Sequence, residues 1–205
     1  MRATEILVAE HQVILRVLDC LEKIAEDVRK DRELDLRSAG EILDFLGNFA
    51  DRCHHGKEEG SLFPALGRKG MPNDVGPVAV MLMEHAQGRE QIAGMRAAFV
   101  AAEHGRPGGA EDFSVHARTY VDLLRDHIAK ENHVLFPMAD RMLNASEQAE
   151  ILEAFGRVES HDLGAGTHER YLALADALVA RLGLPPSARP LAPAGGCCGH
   201  GASRC

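Results

Sequence analysis

A pattern of eleven positions, His-x-x-Lys-Glu-x-x-x-Leu-Phe-Pro, occurs in this chain at residues 54–64 and again 73 residues later at 127–137. Its shared residues are His54, Lys57, Glu58, Leu62, Phe63 and Pro64 against His127, Lys130, Glu131, Leu135, Phe136 and Pro137. A histidine and a carboxylate four residues apart lie on one face of a helix, on neighbouring turns. The repeat therefore demands two helices that each present an imidazole beside a carboxylate, followed by an apolar turn.

The apolar spacing around the two copies predicts the helices that carry them. Ile6, Val8, Ile14, Leu15, Leu18, Leu21 and Ile24 mark a first helix over about residues 3–30. Leu36, Ile42, Leu43, Leu46 and Phe49 open a second, extended to about residue 67, with Pro64 expected to kink or tighten its last turn. A third spans about 75–103, and a fourth about 111–143 carries Pro137 as the second carries Pro64. A fifth begins after Asn144, with Ser146 as its N-cap, and runs to about Leu182; the GAGT segment at 164–167 interrupts or kinks it. Long helices joined by short turns predict an all-α chain: an up-down-up-down antiparallel four-helix bundle over residues 1–143, an accessory helix over 144–183 and a flexible Pro-, Gly- and Cys-containing tail over 184–205.

Depth along such a bundle brings further residues to the repeat. His11 lies early in the first helix and His85 early in the third, while both His/Glu pairs lie late in the second and fourth. At about 1.5 Å per residue, all fall within a few turns of one end. His11, His54, Glu58, His85, His127 and Glu131 thus share one layer. Imidazole suits iron, zinc, copper or nickel, and carboxylates can bridge two cations, so this donor set predicts a dinuclear metal site with iron as the leading candidate. A structural zinc site would be closed, four-coordinate and cysteine-rich.

At these residues the sequence resembles the hemerythrin-like proteins, the group of HHE cation-binding domains, over about residues 1–143. His11, the His54/Glu58 pair with its Leu-Phe-Pro, His85, and the His127/Glu131 pair with its Leu-Phe-Pro match the ligand positions of that family on four successive helices. The resemblance implies two iron ions in a non-haem di-iron centre, oxo- or hydroxo-bridged. It also implies a small diatomic or peroxide partner: family members bind dioxygen, react with peroxide or nitric oxide, sense iron or oxygen, or assist repair of iron–sulfur clusters. The second reading is an iron-sensing or iron-donating protein, iron–sulfur cluster repair included, that turns nothing over; a reductant or an iron–sulfur protein is a further expected partner. Oxygen carriers of the family have a fifth histidine one turn after the helix-three ligand, where this chain has Arg89. One iron is therefore expected to be less saturated than in the carriers. A helical interaction module with a structural metal is the bland rival.

Composition excludes some classes. Lysine and arginine number 23 against 31 aspartates and glutamates, giving a net charge of −8, the opposite of a nucleic-acid footprint. The N-terminal residues show no export signal, and no apolar run approaches a membrane span, so a cytoplasmic protein with reduced cysteines is expected.

Several residues have two readings. His55 with Glu59 would point about 100° around an α-helix from His54, toward solvent or an outer contact. Glu10 and Glu84, each just before a candidate ligand, either orient imidazoles or stand as exposed helix charges. Lys57 and Lys130 are expected to be solvated, Cys20 and Cys53 to pack in the core, and His104, His116 and His133 to lie at the surface. Glu159, His161 and His168 either reach the site or solvate a kink, and Cys197, Cys198, His200 and Cys205 hold a soft metal or remain free thiols.

Overall fold

The computed structural model describes residues 1–159 and 166–185. Among them every regular element is helical. The first rod, α1 (Ala3–Asp31), closes at Arg32, whose φ of 65° is left-handed and whose N–H returns to the Val28 carbonyl. Asp35 caps the next rod, accepting from the Ser38 N–H at 3.1 Å.

That second rod changes pitch along its length. It begins as α2 (Leu36–Phe45), widens into the π-helical segments π1 (Leu46–His55) and π2 (Glu58–Leu62), and ends as α3 (Phe63–Arg68). The third rod is α4 (Gly76–Glu103). The fourth repeats the second, with α5 (Gly109–Lys130), π3 (Glu131–Leu135) and α6 (Phe136–Met142). In both copies the turn before Phe-Pro is π-helical: Phe63 N–H reaches back to the Glu58 carbonyl, and Phe136 N–H to the Glu131 carbonyl. A π-turn takes the five-back acceptor instead of the four-back one, which relieves the carbonyl that the following proline ring would strike in an α-helix. The prolines are thus absorbed by the turn rather than by a kink at the helix end. Gly109 is required where α5 starts, because a Cβ there would lie 2.5 Å from the Ala102 nitrogen.

The expected fifth helix is two helices. Asn144, not Ser146, caps α7 (Ala145–Arg157): its side chain accepts from the Ser146 and Glu147 N–H groups while Glu147 accepts from the Asn144 N–H. This cap satisfies three otherwise orphaned donors, which Ser146, two residues later, would not. The second piece, α8 (Thr167–Arg181), starts from Gly166 at a left-handed φ of 80°.

The helices form a bundle: α4 lies along α5, α5 along α1, α1 against α2, and α2 and π1 against α4. Outside it, α7 covers π2 and α1, and α8 covers α1 and α2. The interior holds two apolar clusters. One runs from Val13 through Phe45, Phe49, Met95, Phe113 and Tyr120 to Leu178; the other joins Leu7, Leu62, Phe63, Leu66, Leu135, Phe136 and Phe155. Between them lies a band of buried histidines and glutamates. Among the described residues no helix is long and apolar enough to cross a membrane.

Candidate metal centre

All six predicted residues occupy that band, and a seventh joins them. His11, His54, Glu58 and Glu131 form one group, and His55, Glu58, His85 and His127 another, with ligand-type atoms in each group within 4.8 Å of one another. None of the seven is more than 4% exposed. Glu58 belongs to both groups: one oxygen lies 3.6 Å from His54 Nε2 and the other 3.4 Å from His85 Nε2. Glu131 also faces both, with one oxygen 3.1 Å from His11 Nε2 and 3.4 Å from His127 Nε2.

The imidazoles are aimed by partners on their outer edges. His54 Nδ1 donates to Glu10 and His127 Nδ1 to Glu84, each at 2.9 Å. His85 Nδ1 donates to Glu59 at 2.7 Å, and His11 Nδ1 to the Asn132 amide oxygen at 2.8 Å. A carboxylate can only accept, so Nδ1 carries the proton and Nε2 is left to face the centre. The residue after each repeat glutamate, Glu59 or Asn132, thus crosses to the histidine supplied by the other half of the chain. The apolar triplet crosses in the same way: Phe136 stacks on His11 at 5.5 Å between centroids and Phe63 on His85 at 5.9 Å. Glu10 and Glu84 are therefore orienting groups, not exposed charges.

This band suits a bound cation. His11 and His54 approach Nε2 to Nε2 at 2.9 Å. With both Nδ1 atoms donating outward, two lone pairs confront each other, an arrangement that a positive ion between them turns from repulsive to attractive. Both oxygens of Glu58 and of Glu131 are buried without a hydrogen-bond partner, which is costly unless a cation satisfies them. Burial and the Glu131 charge push Glu58 well above the usual carboxylate range. Glu131 is held well below it: burial opposes ionisation, but the adjacent His127 and His11 override it. Burial lowers His54 to about 4 despite the Glu10 carboxylate. His127 rises to about 9, burial being outweighed by Glu131 and Glu84. Without a metal, protons on Glu58 and His127 are what keep this layer from accumulating bare charge.

Other residues differ from their sequence readings. His55 does not turn to solvent. It stacks on His85 at 3.8 Å between centroids with planes 17° apart. The α-helical angle of 100° per residue underlay the other reading, and π1 replaces it with a wider turn, so that neighbours His54 and His55 both enter the band. Lys57 is fully buried, its ammonium held between Glu10 and Glu159. The solvated position expected of Lys57 is corrected by Glu159, which reaches it from just beyond α7. Lys130 is 43% exposed and pairs with Glu84. His168 Nδ1 lies 3.9 Å from Glu10 Oε1, and ligand-type atoms of Glu10, Glu159 and His168 lie within 4.8 Å of one another, a grouping separate from the two that hold the imidazole band. His161 and the tail residues Cys197, Cys198, His200 and Cys205 lie outside the described residues. Cys20 and Cys53 are buried free thiols, and burial with the Glu10 charge pushes Cys53 up to about 12. His104 and His133 are exposed, and His116, half-buried, bonds Gln91 at 2.9 Å.

Arg89 stands one turn after His85 and reaches outward, donating to Asp51 and Glu59 at 2.8 Å each. The group around His85 holds three imidazoles, those of His55, His85 and His127, against two around His11.

Comparison with known proteins agrees with this architecture. Proteins of Mycobacterium bovis and of two Mycobacterium tuberculosis strains, all described as uncharacterized, are 25% identical over 162 residues, covering 79% of this chain. The match spans 63% of the length of those relatives. No solved structure matches significantly. The family model for the hemerythrin HHE cation binding domain matches residues 2–139. Both His/Glu repeats lie inside that match, and the chain belongs to the hemerythrin HHE cation-binding family.

Proposed function

We propose that this protein is a cytoplasmic, non-haem di-iron protein that binds or reacts with dioxygen, peroxide or nitric oxide. Its ligands are His11, His54, Glu58, His85, His127 and Glu131, carried on an up-down-up-down four-helix bundle. The observation that carries the reading is the placing of Glu58 and Glu131, each facing imidazoles of both groups. Carboxylates so placed could each be shared by a pair of cations, and a set of imidazoles and carboxylates without thiolate suits iron better than a structural zinc. The cyclic packing of α1, α2, α4 and α5 supports the bundle topology.

An iron pair would supply the electrons and the exchangeable position for a small ligand. The protein's own residues do the rest. Glu10, Glu59, Glu84 and Asn132 fix the imidazole tautomers and aim Nε2 inward. Phe63, Phe136, Leu62 and Leu135 form a dry floor that excludes water. Burial of every donor favours a retained centre over an iron-donating protein that must release its metal, the second reading.

The test is anaerobic loading with ferrous iron, metal analysis, and optical spectra on exposure to dioxygen. About two irons per chain and a new near-ultraviolet absorption on oxidation are expected. One tightly held zinc and no retained iron would overturn the reading, and rapid loss of iron to a weak chelator would favour the donor.

A further inference from the structure

We propose that His55 is a seventh metal ligand, and that Arg89, by anchoring Asp51 and Glu59, positions the imidazoles of His55 and His85 for one of the two metals. This rests on the metal-binding reading above and deepens it.

Four observations carry the inference. His55 is 4% exposed, and its Nδ1 is buried with no hydrogen-bond partner. An imidazole so enclosed costs free energy unless its polar atoms are used. A ligand-type nitrogen of His55 lies within 4.8 Å of those of His85 and His127 and of a Glu58 oxygen. Its ring is near-parallel to that of His85 and edge-on to that of His127 at 5.7 Å, so the three imidazoles line one small space. On the outer side, Asp51 Oδ1 lies 3.6 Å from His55 Nδ1, just beyond a hydrogen bond, so a proton on Nδ1 faces a carboxylate and Nε2 is left for the metal side.

Arg89 ties this together. Its Nε donates to Asp51 Oδ1 and its Nη2 to Glu59 Oε1, the same oxygen that accepts from His85 Nδ1. One guanidinium thus fixes two carboxylates on two turns of the second rod, each set against the outer nitrogen of a stacked imidazole. Arginine's planar fork suits this double anchoring, and its permanent charge keeps it from competing for the metal. The first half of the chain places Leu15 one turn after His11, so the frame exists on one side only. Two unequal metal positions follow: three imidazoles at one, two at the other.

The experiment compares the full-length wild type with His55→Ala, His55→Phe, Arg89→Met, Asp51→Asn and, as control, the exposed His133→Ala. Each is stripped of metal, titrated anaerobically with Fe(II) and Co(II), and assayed for metals bound per chain and for the visible Co(II) spectrum. The wild type and His133→Ala are expected to bind two metals. His55→Ala and His55→Phe should hold one and bind the second at least about tenfold more weakly, with altered Co(II) bands. Arg89→Met and Asp51→Asn should weaken the same metal about 10- to 100-fold, the usual effect of losing an outer partner. The Phe variant keeps a ring stacked on His85, and Arg89 is 42% exposed, so the question survives a failure of His55→Ala to fold. Two metals bound with wild-type affinity and spectrum by His55→Phe would overturn the inference and leave the dinuclear reading standing. A wild type that binds fewer than two would overturn both.

Discussion

The Nε2 atoms of His11 and His54 lie 2.9 Å apart in a layer closed to solvent, while their Nδ1 atoms are committed to Asn132 and Glu10. With neither Nε2 protonated, two such lone pairs repel, and the oxygens of Glu58 and Glu131 beside them have no hydrogen-bond partner. The metal-free bundle is therefore held together in spite of its central layer. At free metal about 100 times the dissociation constant, binding should stabilise the fold by about 2.7 kcal/mol, or roughly 5 to 10 °C in midpoint. Thermal melts with and without Fe(II) or Co(II), and again with excess chelator, check this. An unchanged midpoint under saturating metal would contradict it.

The two repeat carboxylates should matter more than any single imidazole. Glu58→Gln or Glu131→Gln removes a charge that faces both groups, so each should lose most of both metals. His133→Ala, at an exposed position, should retain them. Elemental analysis after gel filtration decides. Retention of two metals by Glu58→Gln would mean that it does not span the pair.

Metal uptake should compete with protons. Glu58 is raised well above the carboxylate range by burial and Glu131, and His127 is raised to about 9. Both bind protons more tightly in the metal-free fold than in water, and both must give them up to become donors. Apparent affinity should therefore rise with pH up to about 9 and fall as the solution is acidified, with more than one proton released per loaded chain near neutrality. A pH-indicator titration in weak buffer counts them. Affinity independent of pH between 6 and 9, in the ~pH range set by these groups, would refute the assignment.

Lys57 and Lys130 occupy equivalent places in the repeat but not equivalent surroundings. Lys57 is fully buried between Glu10 and Glu159, whereas Lys130 is 43% exposed beside Glu84. Removing one partner of a buried ion pair strands the other, so Lys57→Met should cost about 3 to 5 kcal/mol. Lys130→Met should cost about 0 to 1 kcal/mol, as exposed pairs do. Urea denaturation of the metal-free proteins measures both. Equal losses would show that α7 does not seal the first half of the site.

The repeated His-x-x-Lys-Glu pattern was enough to place His54/Glu58 and His127/Glu131 on helix faces, because that step needs only the helical period. Depth counting added His11 and His85, because rods in a bundle share a common length scale. What the sequence could not reveal depends on a change of pitch or on atoms from a distant element. His55 enters the layer because π1 is not α-helical, and no single-residue propensity announces it; the Phe-Pro that ends each repeat marks only π2 and π3. Glu59 and Asn132 follow the repeat glutamates in sequence, but the histidines they aim belong to the opposite hairpin, a pairing made only when the halves cross. Lys57 is dry because Glu159 arrives from the end of α7. Local periodicity determined which side chains share a helix face; packing of one half of the chain against the other, and of α7 over π2 and α1, decided which of them face the central layer, which are aimed, and which are hidden from water.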